Sequence, residues 1–475
     1  MADGISAGSG SGRGGTLDVA QFLKALPFTR FHVRLLLICS LVTFFDGLDF
    51  SLISFTMPDL ARAMDLSKEQ IGNVGAMGNA GQMIGSLIGS YIADVVGRRP
   101  VVLWCTFLSA ILTFVTGFAE NYDSLLALRF VGGMAIGGLL APAWAVNIES
   151  MPAGKKATAV TIIMLGFSAG GAMAGQVTNW LAPDYGWEGV FFFAGATTLL
   201  LAFVLLFAMP ESVRWLAAKG RAASRIEPLV RKFDPTIAAG PYTGYTLSDE
   251  RKIDKETPWA KFAELFRGTL GWITPIIWFT YFCSSFAIYL KSNLGTMFLV
   301  ELGLADATAR NLGSITGITG AIAGVLLLWL TEKRGPAWIA IVPLLGIPAT
   351  IIIGWDMAQG NLFTPMILIG GILIGAGHAA VISLTSIYYP SAVRSTGGGW
   401  ASFMAKFAAV AAPYFGARWF LGSRGAVLDG YLFTGLCLAG VVVGLLVLAH
   451  YAKRLKAEEA AEAGALAGIP ASAGA

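Results

Sequence analysis

Twelve stretches of this chain, at about 33–57, 69–93, 99–120, 124–147, 157–181, 188–209, 270–299, 309–330, 337–357, 363–388, 397–421 and 430–452, run almost without charge. Each is close to the roughly 20 mainly apolar residues that a helix needs to cross a bilayer. So many crossings leave little room for a globular domain. Composition agrees, with 55% hydrophobic and 13% charged residues, against about 25% charged in an ordinary soluble domain. The runs are continuous and Gly-rich rather than the roughly ten-residue alternating segments of an outer-membrane barrel, so α-helix is the way their backbone groups are satisfied in lipid. The expected fold is an all-α membrane protein of twelve transmembrane helices in two six-helix halves.

The charges divide the chain further. A dense charged run with Pro235 and Pro241 separates the sixth stretch from the seventh. The expected organisation is a disordered tail over 1–30, a six-helix bundle over 31–211, a central loop over 212–268, a second bundle over 269–455 and a disordered tail over 456–475. PWAKFAELFRG (258–268) reads as a short amphipathic helix at the membrane surface or as solvated loop. Lys and Arg concentrate in the loops on the side of both termini, whereas Arg62, Lys68, Arg310 and Arg424 fall opposite. The positive-inside rule therefore predicts cytoplasmic termini and a multi-pass protein of a bacterial inner membrane. The Gly- and Ser-rich start lacks the pattern of a cleaved signal peptide.

An ionisable group deep in a span costs roughly 2.5–3.5 kcal/mol on insertion scales, which makes each one a functional candidate. Asp46 and Asp49, in FFDGLDFSLISFTMP, are i and i+3 on one helix face. Carboxylates that close repel, so a shared proton relieves them and proton coupling is the sharper reading; capping or a pairing with a basic side chain is the plainer one. Lys291 follows FAIY in the seventh span, with Tyr281 and Tyr289 near it. An ammonium there is tolerated if it meets an anion in a wet cavity, or if it snorkels to an interface. His378 in GAGHAAV can relay protons to the acidic pair or be a buried structural imidazole. Phe44, Phe45, Phe50 and Phe55 line the first span with aromatic surface that could stack on a ring. The four cysteines are scattered through the spans and read as small buried hydrophobes. GxxxxGK[ST], hydrolytic triads and metal-ligand clusters are absent from the sequence, so neither nucleotide, metal nor nucleic acid is expected and the driving force would be a proton gradient.

SYIADVVGRRP (90–100) and LWLTEKRGP (328–336) stand at equivalent places in the two halves, each with an acid, a base and a Gly at a span end. Such recurrence points to an internally duplicated transporter with its site at the midplane. With LRFVGGMAIGGLLAP (128–142), Glu149 and PESVRWLAAKGR (210–221), these segments resemble the major facilitator superfamily over about residues 30–455. DGLD (46–49) and YYPSAVRSTGGGW (388–400) are similar to motifs of its aromatic acid:proton symporter family. The resemblance implies a cytoplasmic gate of Asp94, Arg98, Arg129 and Glu149, and puts Lys406 where the family usually has an Arg. Around Asn293 and Gly295 the sequence departs from the family's usual Ser-Trp-Leu-Pro.

Together these expectations describe a monomeric proton-coupled importer of a benzoate-, hydroxybenzoate- or lignin-derived acid. Asp46, Asp49 and His378 would handle protons, and Lys406, Lys291, Tyr281, Tyr289 and Asn293 would meet substrate. A proton-antiport exporter and a non-transporting sensor are the alternatives.

Overall fold

The computed structural model describes residues 15–152, 154–233, 244–248, 258–334, 336–390 and 393–467. Helices occupy every expected crossing. In the first half they are α1 Arg30–Ala63, α2 Lys68–Val96, α3 Arg98–Thr116, α4 Tyr122–Ser150, and α5 and α6 within Lys156–Ala208. In the second half they are α7 Leu270–Glu301, α8 Asp306–Arg334, α9 Ile341–Gly354, α10 Phe363–Val381, α11 Arg394–Phe420 and α12 Arg424–Ala467. The chain reverses between α5 and α6 at Gly186, whose φ of 66° suits a residue without Cβ. Among the described residues, eight helices are long and apolar enough to cross a membrane when the continuous Lys156–Ala208 is counted as one. The molecule is a multi-pass membrane protein.

Within the first half α1 packs on α5, α2 on α4 and α3 on α6; within the second, α7 packs on α11 and α12, and α8 on α10. The closest approach that matters for the site is at Gly47, on the turn between the two aspartates. A methyl there would run into the Phe167 carbonyl of α5, and one at Gly170 into the Phe44 carbonyl of α1. Two helices can lie backbone to backbone only where Cβ is missing.

The halves touch along α2–α11, α5–α8 and α1–α7. These contacts cluster away from the side where α1 begins and α12 ends, here called the terminal side. Asn79 Nδ2 donates to Ala409 O at 2.7 Å, Gln176 Nε2 and Asn179 Nδ2 donate to Asn311 Oδ1 at 3.0 Å each, and Arg310 reaches α1.

The terminal side corrects the expectation of a disordered leader. Thr16–Asp18 pairs in parallel with Gly244–Thr246 of the central loop, and the helix Val19–Ala25 follows, capped by Asp18. Leu23 and Leu26 pack with Trp215, Leu216, Ile226 and Phe233 of the loop helices Val213–Ala218 and Ala223–Phe233 in a small apolar core. That apolar burial is what a composition-based reading of a Gly/Ser-rich start overlooks. Residues 1–14 and 468–475 lie outside the described residues, whereas 456–467, expected to be disordered, continue α12 as helix. In the central loop Pro258–Glu264 forms a short helix, one of the two readings of that stretch.

Candidate functional site

Between α1, α5, α7, α8 and α10 lies a cavity of about 360 Å³, reaching from Phe55 toward Thr161, Leu328 and Ile382 near the terminal side. The first half contributes Phe50, Phe55 and Phe167, and the second Tyr289 and Tyr431. Rings from α1, α5 and α7 meet here: Phe50 lies 5.8 Å from Phe167 and 6.2 Å from Tyr289, centroid to centroid.

Lys291 is the cation in this wall. Its Nζ donates to the carbonyl of Gly371 at 2.9 Å and of Thr316 at 3.5 Å, and among the described residues no carboxylate pairs with it. Carbonyls orient an ammonium without neutralising it, so its charge remains available to an anion. His378 also lines the cavity and its Nδ1 lies 3.1 Å from Ser284 Oγ. It stands with Lys291 in the second half, and its hydrogen-bond partner is Ser284.

Asp46 and Asp49 are buried in the first half. Asp49 accepts from Ser109 Oγ at 3.1 Å, and its Oδ1 is 4.0 Å from Arg129 Nη2. Neither carboxylate oxygen of Asp46 has a donor among the described residues. Lys406 is within electrostatic reach of Asp46, but its Nζ donates to Gln82 Oε1 at 3.0 Å. The cation beside Asp49 comes from its own half, and Lys406 crosses between the halves to an amide.

A separate space of about 30 Å³ is lined by Phe50, Asn79, Gln82, Arg129 and Asn293. Asn293 lies in this wall, its Nδ2 donating to Tyr289 O at 2.9 Å and its Oδ1 facing Asn79, so it sits at the contact of the halves and not in the large cavity. Tyr281 stands apart too: it is buried, and its hydroxyl donates to Ile382 O at 2.6 Å, tying α7 to the end of α10.

On the terminal side Arg98 pairs with Asp94 at 3.0 Å and with Glu149 at 3.3 Å, while Glu149 also accepts from Ser212. Glu211, which sequence reasoning did not single out, accepts from the backbone N–H groups of Arg98, Arg99 and Ser212. These contacts tie α2, α3, α4 and the start of the central loop within one half. Arg129 is absent from them: it lies 20 residues before Glu149 on α4, about 30 Å along the axis. The second copy of this motif, at Glu332, Lys333 and Gly335, lies outside the described side chains and residues.

A cluster on the opposite side was also missed. Arg310 at the start of α8 pairs with Asp59 of α1 and donates from Nε to Phe55 O at 3.0 Å, and Arg62 of α1 pairs with both Asp59 and Asp306. The signal was in the sequence, since Arg62 and Arg310 are two of the few basic residues on that side.

A profile described as the Major Facilitator Superfamily matches residues 39–413. The 4-hydroxybenzoate transporter PcaK of Pseudomonas aeruginosa is 28% identical over 402 residues, covering 84% of this chain and 89% of that protein. The gallate transporter of Pseudomonas putida is 29% identical over 449 residues, covering 94% and 98%. The crystal structure of a bacterial homolog of the human lysosomal transporter Spinster, inward-facing and occupied, superposes with a TM-score of 0.64 at 19% identity, covering 90% of this chain and 97% of that one. The profile match over most of the chain, on a twelve-helix frame with its cavity between two halves, makes this protein a member of the major facilitator superfamily, a transporter and not an enzyme.

Proposed function

We propose that this protein imports an aromatic carboxylate together with protons by alternating access, from an inner membrane with both termini in the cytoplasm. The observation that carries the reading is Lys291: an ammonium held by two carbonyls, without a paired carboxylate among the described residues, in a cavity walled by Phe50, Phe55, Phe167, Tyr289 and Tyr431. A flat apolar ring with one negative edge complements that wall, the ring stacking on the aromatic side chains and the carboxylate meeting Nζ. The kinship with carriers of 4-hydroxybenzoate and gallate supports the same class of cargo.

Proton coupling is assigned to the acidic pair. Asp49 has Arg129 and Ser109 to hold its charge, whereas Asp46 has no donor among the described residues. A buried carboxylate without donors gains most from taking up a proton, and Asp46 is therefore the carrier in this scheme. Phe50 borders both the large cavity and the small one beside Arg129, so a ring entering the cavity presses on the residue next to Asp49. Substrate and proton then act on one helix face.

Binding is tested on the purified protein with a thermal-shift panel of aromatic acids, aliphatic acids and neutral aromatics. A ligand at 100 times its Kd stabilises the folded state by about 2.7 kcal/mol. Only aromatic acids should raise the melting temperature, and Lys291→Met should abolish the rise. Stabilisation by neutral aromatics alone would sink the reading. Uptake by right-side-out vesicles under an imposed inward proton gradient then decides direction, since an exporter accumulates nothing.

A further inference from the structure

The large cavity does not end at Lys291. Beyond the helices that face the first half, it is lined by Ile353 of α9 and by Tyr431 and Thr434 of α12, together with Phe298 and Leu299 of α7 and Ile367 of α10. Phe298 follows Lys291 by seven residues on α7, two turns or about 10 Å along the axis. Ile353 stands at the end of α9 and Ile367 near the start of α10. The cavity therefore continues past Lys291 as a branch inside the second half, running toward the side opposite the termini. Lys291 stands where the two parts meet, its Nζ reaching from α7 to the carbonyl of Gly371 on α10.

The branch is apolar and has aromatic surface at its far end, where the rings of Phe298 and Tyr431 lie 6.1 Å apart between centroids. The threonine hydroxyls on its walls are engaged within their own helices, Thr434 Oγ1 donating to Gly430 O at 2.8 Å and Thr350 Oγ1 to Ile347 O at 2.9 Å. Glycine keeps it open: a Cβ at Gly370 would make ordinary contact, at 3.8 Å, with Ala349 and Ile353, so a longer side chain there fills the space that Ile353 borders. Volume decides what fits. An apolar cavity of about 150 Å³ is enough to hold a benzene, and this cavity measures about 360 Å³. One ring beside Phe50 and Phe167 leaves room for a second.

We propose that the branch is a subsite for a second aromatic ring, so that acids with a ring on either side of the carboxylate bind more tightly than single-ring acids and block the carrier instead of being carried. The proposal rests on the reading of Lys291 as the carboxylate's partner. With the carboxylate on Nζ, one ring lies against Phe50 and Phe167, first-half walls that move away from Lys291 in the proposed alternating access. The other ring lies between helices of a single half, which rocking carries along unopened. Such a ligand leaves only by backing out past Lys291, while the apolar area it buries in the branch strengthens its hold.

The test compares phenylacetate with diphenylacetate, which differ by one ring on the carbon that bears the carboxylate. It measures Kd on the full-length purified protein and uptake into proteoliposomes under a proton gradient. The wild type should bind diphenylacetate about tenfold more tightly, the gain expected from burying one more ring, and diphenylacetate should inhibit phenylacetate uptake while accumulating little itself. Thr434→Phe and Gly370→Val fill the branch from α12 and from α10. Each should bring diphenylacetate down to the affinity of phenylacetate and leave phenylacetate binding as it is in the wild type. A variant is read only if its ligand-free melting temperature matches the wild type's, and the wild-type ratio decides without either. Equal wild-type affinities, a preference unchanged in both folded variants, an equal loss of both acids in both, or accumulation of diphenylacetate as fast as phenylacetate overturns the proposal and leaves Lys291 as the carboxylate site. If the wild type binds neither acid, the transport reading falls and this one with it.

Discussion

Asp46 and Asp49 are three residues apart yet have different surroundings, and that difference assigns them different tasks. Asp49 is set between Ser109 and Arg129, and Asp46 is enclosed without a donor among the described residues. Asp49→Asn leaves Arg129 buried beside a neutral amide, so uphill uptake and exchange should both fall by an order of magnitude or more, with the protein still folded and inserted. Asp46→Asn should abolish uphill uptake and keep counterflow exchange, because the carrier still alternates with its proton site permanently neutral. Transport in proteoliposomes with and without a proton gradient separates the two, and full accumulation by either variant removes that residue from coupling. At this scale the sequence told which residues matter better than which of them meet. Charge in an apolar run marks Asp46, Asp49, Lys291 and Lys406 on its face, but partnership depends on helix rotation. Arg129 was therefore expected at the terminal-side network and is found against Asp49, because a helix side chain's neighbours are set by packing that one sequence does not encode locally.

The elements were legible wherever the signal was length and hydropathy. Each expected crossing holds a helix, and the helix Lys156–Ala208 contains two of them across Gly186, whose turn the run Pro183 to Gly186 announces. What stayed illegible was how closely elements approach. The α1–α5 contact depends on Gly47 and Gly170 facing opposing carbonyls, and this fixes the height at which the aspartates sit. Overpacking of this kind costs about 1–3 kcal/mol. Gly47→Ala should therefore lower the melting temperature by several degrees and cut uptake more than Lys291-dependent binding, since it moves the acidic face and leaves the cavity's second-half wall in place. A variant that binds and transports like the wild type would show that the approach is dispensable. The tail was misread at this scale as well, because apolar positions as sparse as Leu23 and Leu26 have no periodic pattern strong enough to announce a helix until Trp215 and Phe233 are there to cover them.

For the whole molecule, the halves touch on the side opposite the termini and the cavity reaches the terminal side, so this conformation is inward-facing if the termini are cytoplasmic. The cluster of Arg310, Asp59, Arg62 and Asp306 fastens α1 to α8 across that contact, and in the proposed alternating access it comes apart for the opposite opening. A charge-assisted hydrogen bond contributes about 1.5–3 kcal/mol. Arg310→Ala should accordingly shift the balance toward the outward opening by roughly tenfold or more, read as faster alkylation of a cysteine placed at Ser54 in a background without the native cysteines. An unchanged rate would mean that the cluster does not set the balance. The network of Asp94, Arg98, Glu149 and Glu211 stays inside one half and travels with it.

The pairing of Thr16–Asp18 with Gly244–Thr246 has a consequence for how the first half is put together. It brings the beginning of that half, within one strand spacing of about 4.8 Å, alongside the stretch that leads on toward the second half. The first six helices are thereby drawn into a closed loop, with both of their ends moored on the same small apolar patch. In the alternating access proposed above, this ring moves as one body.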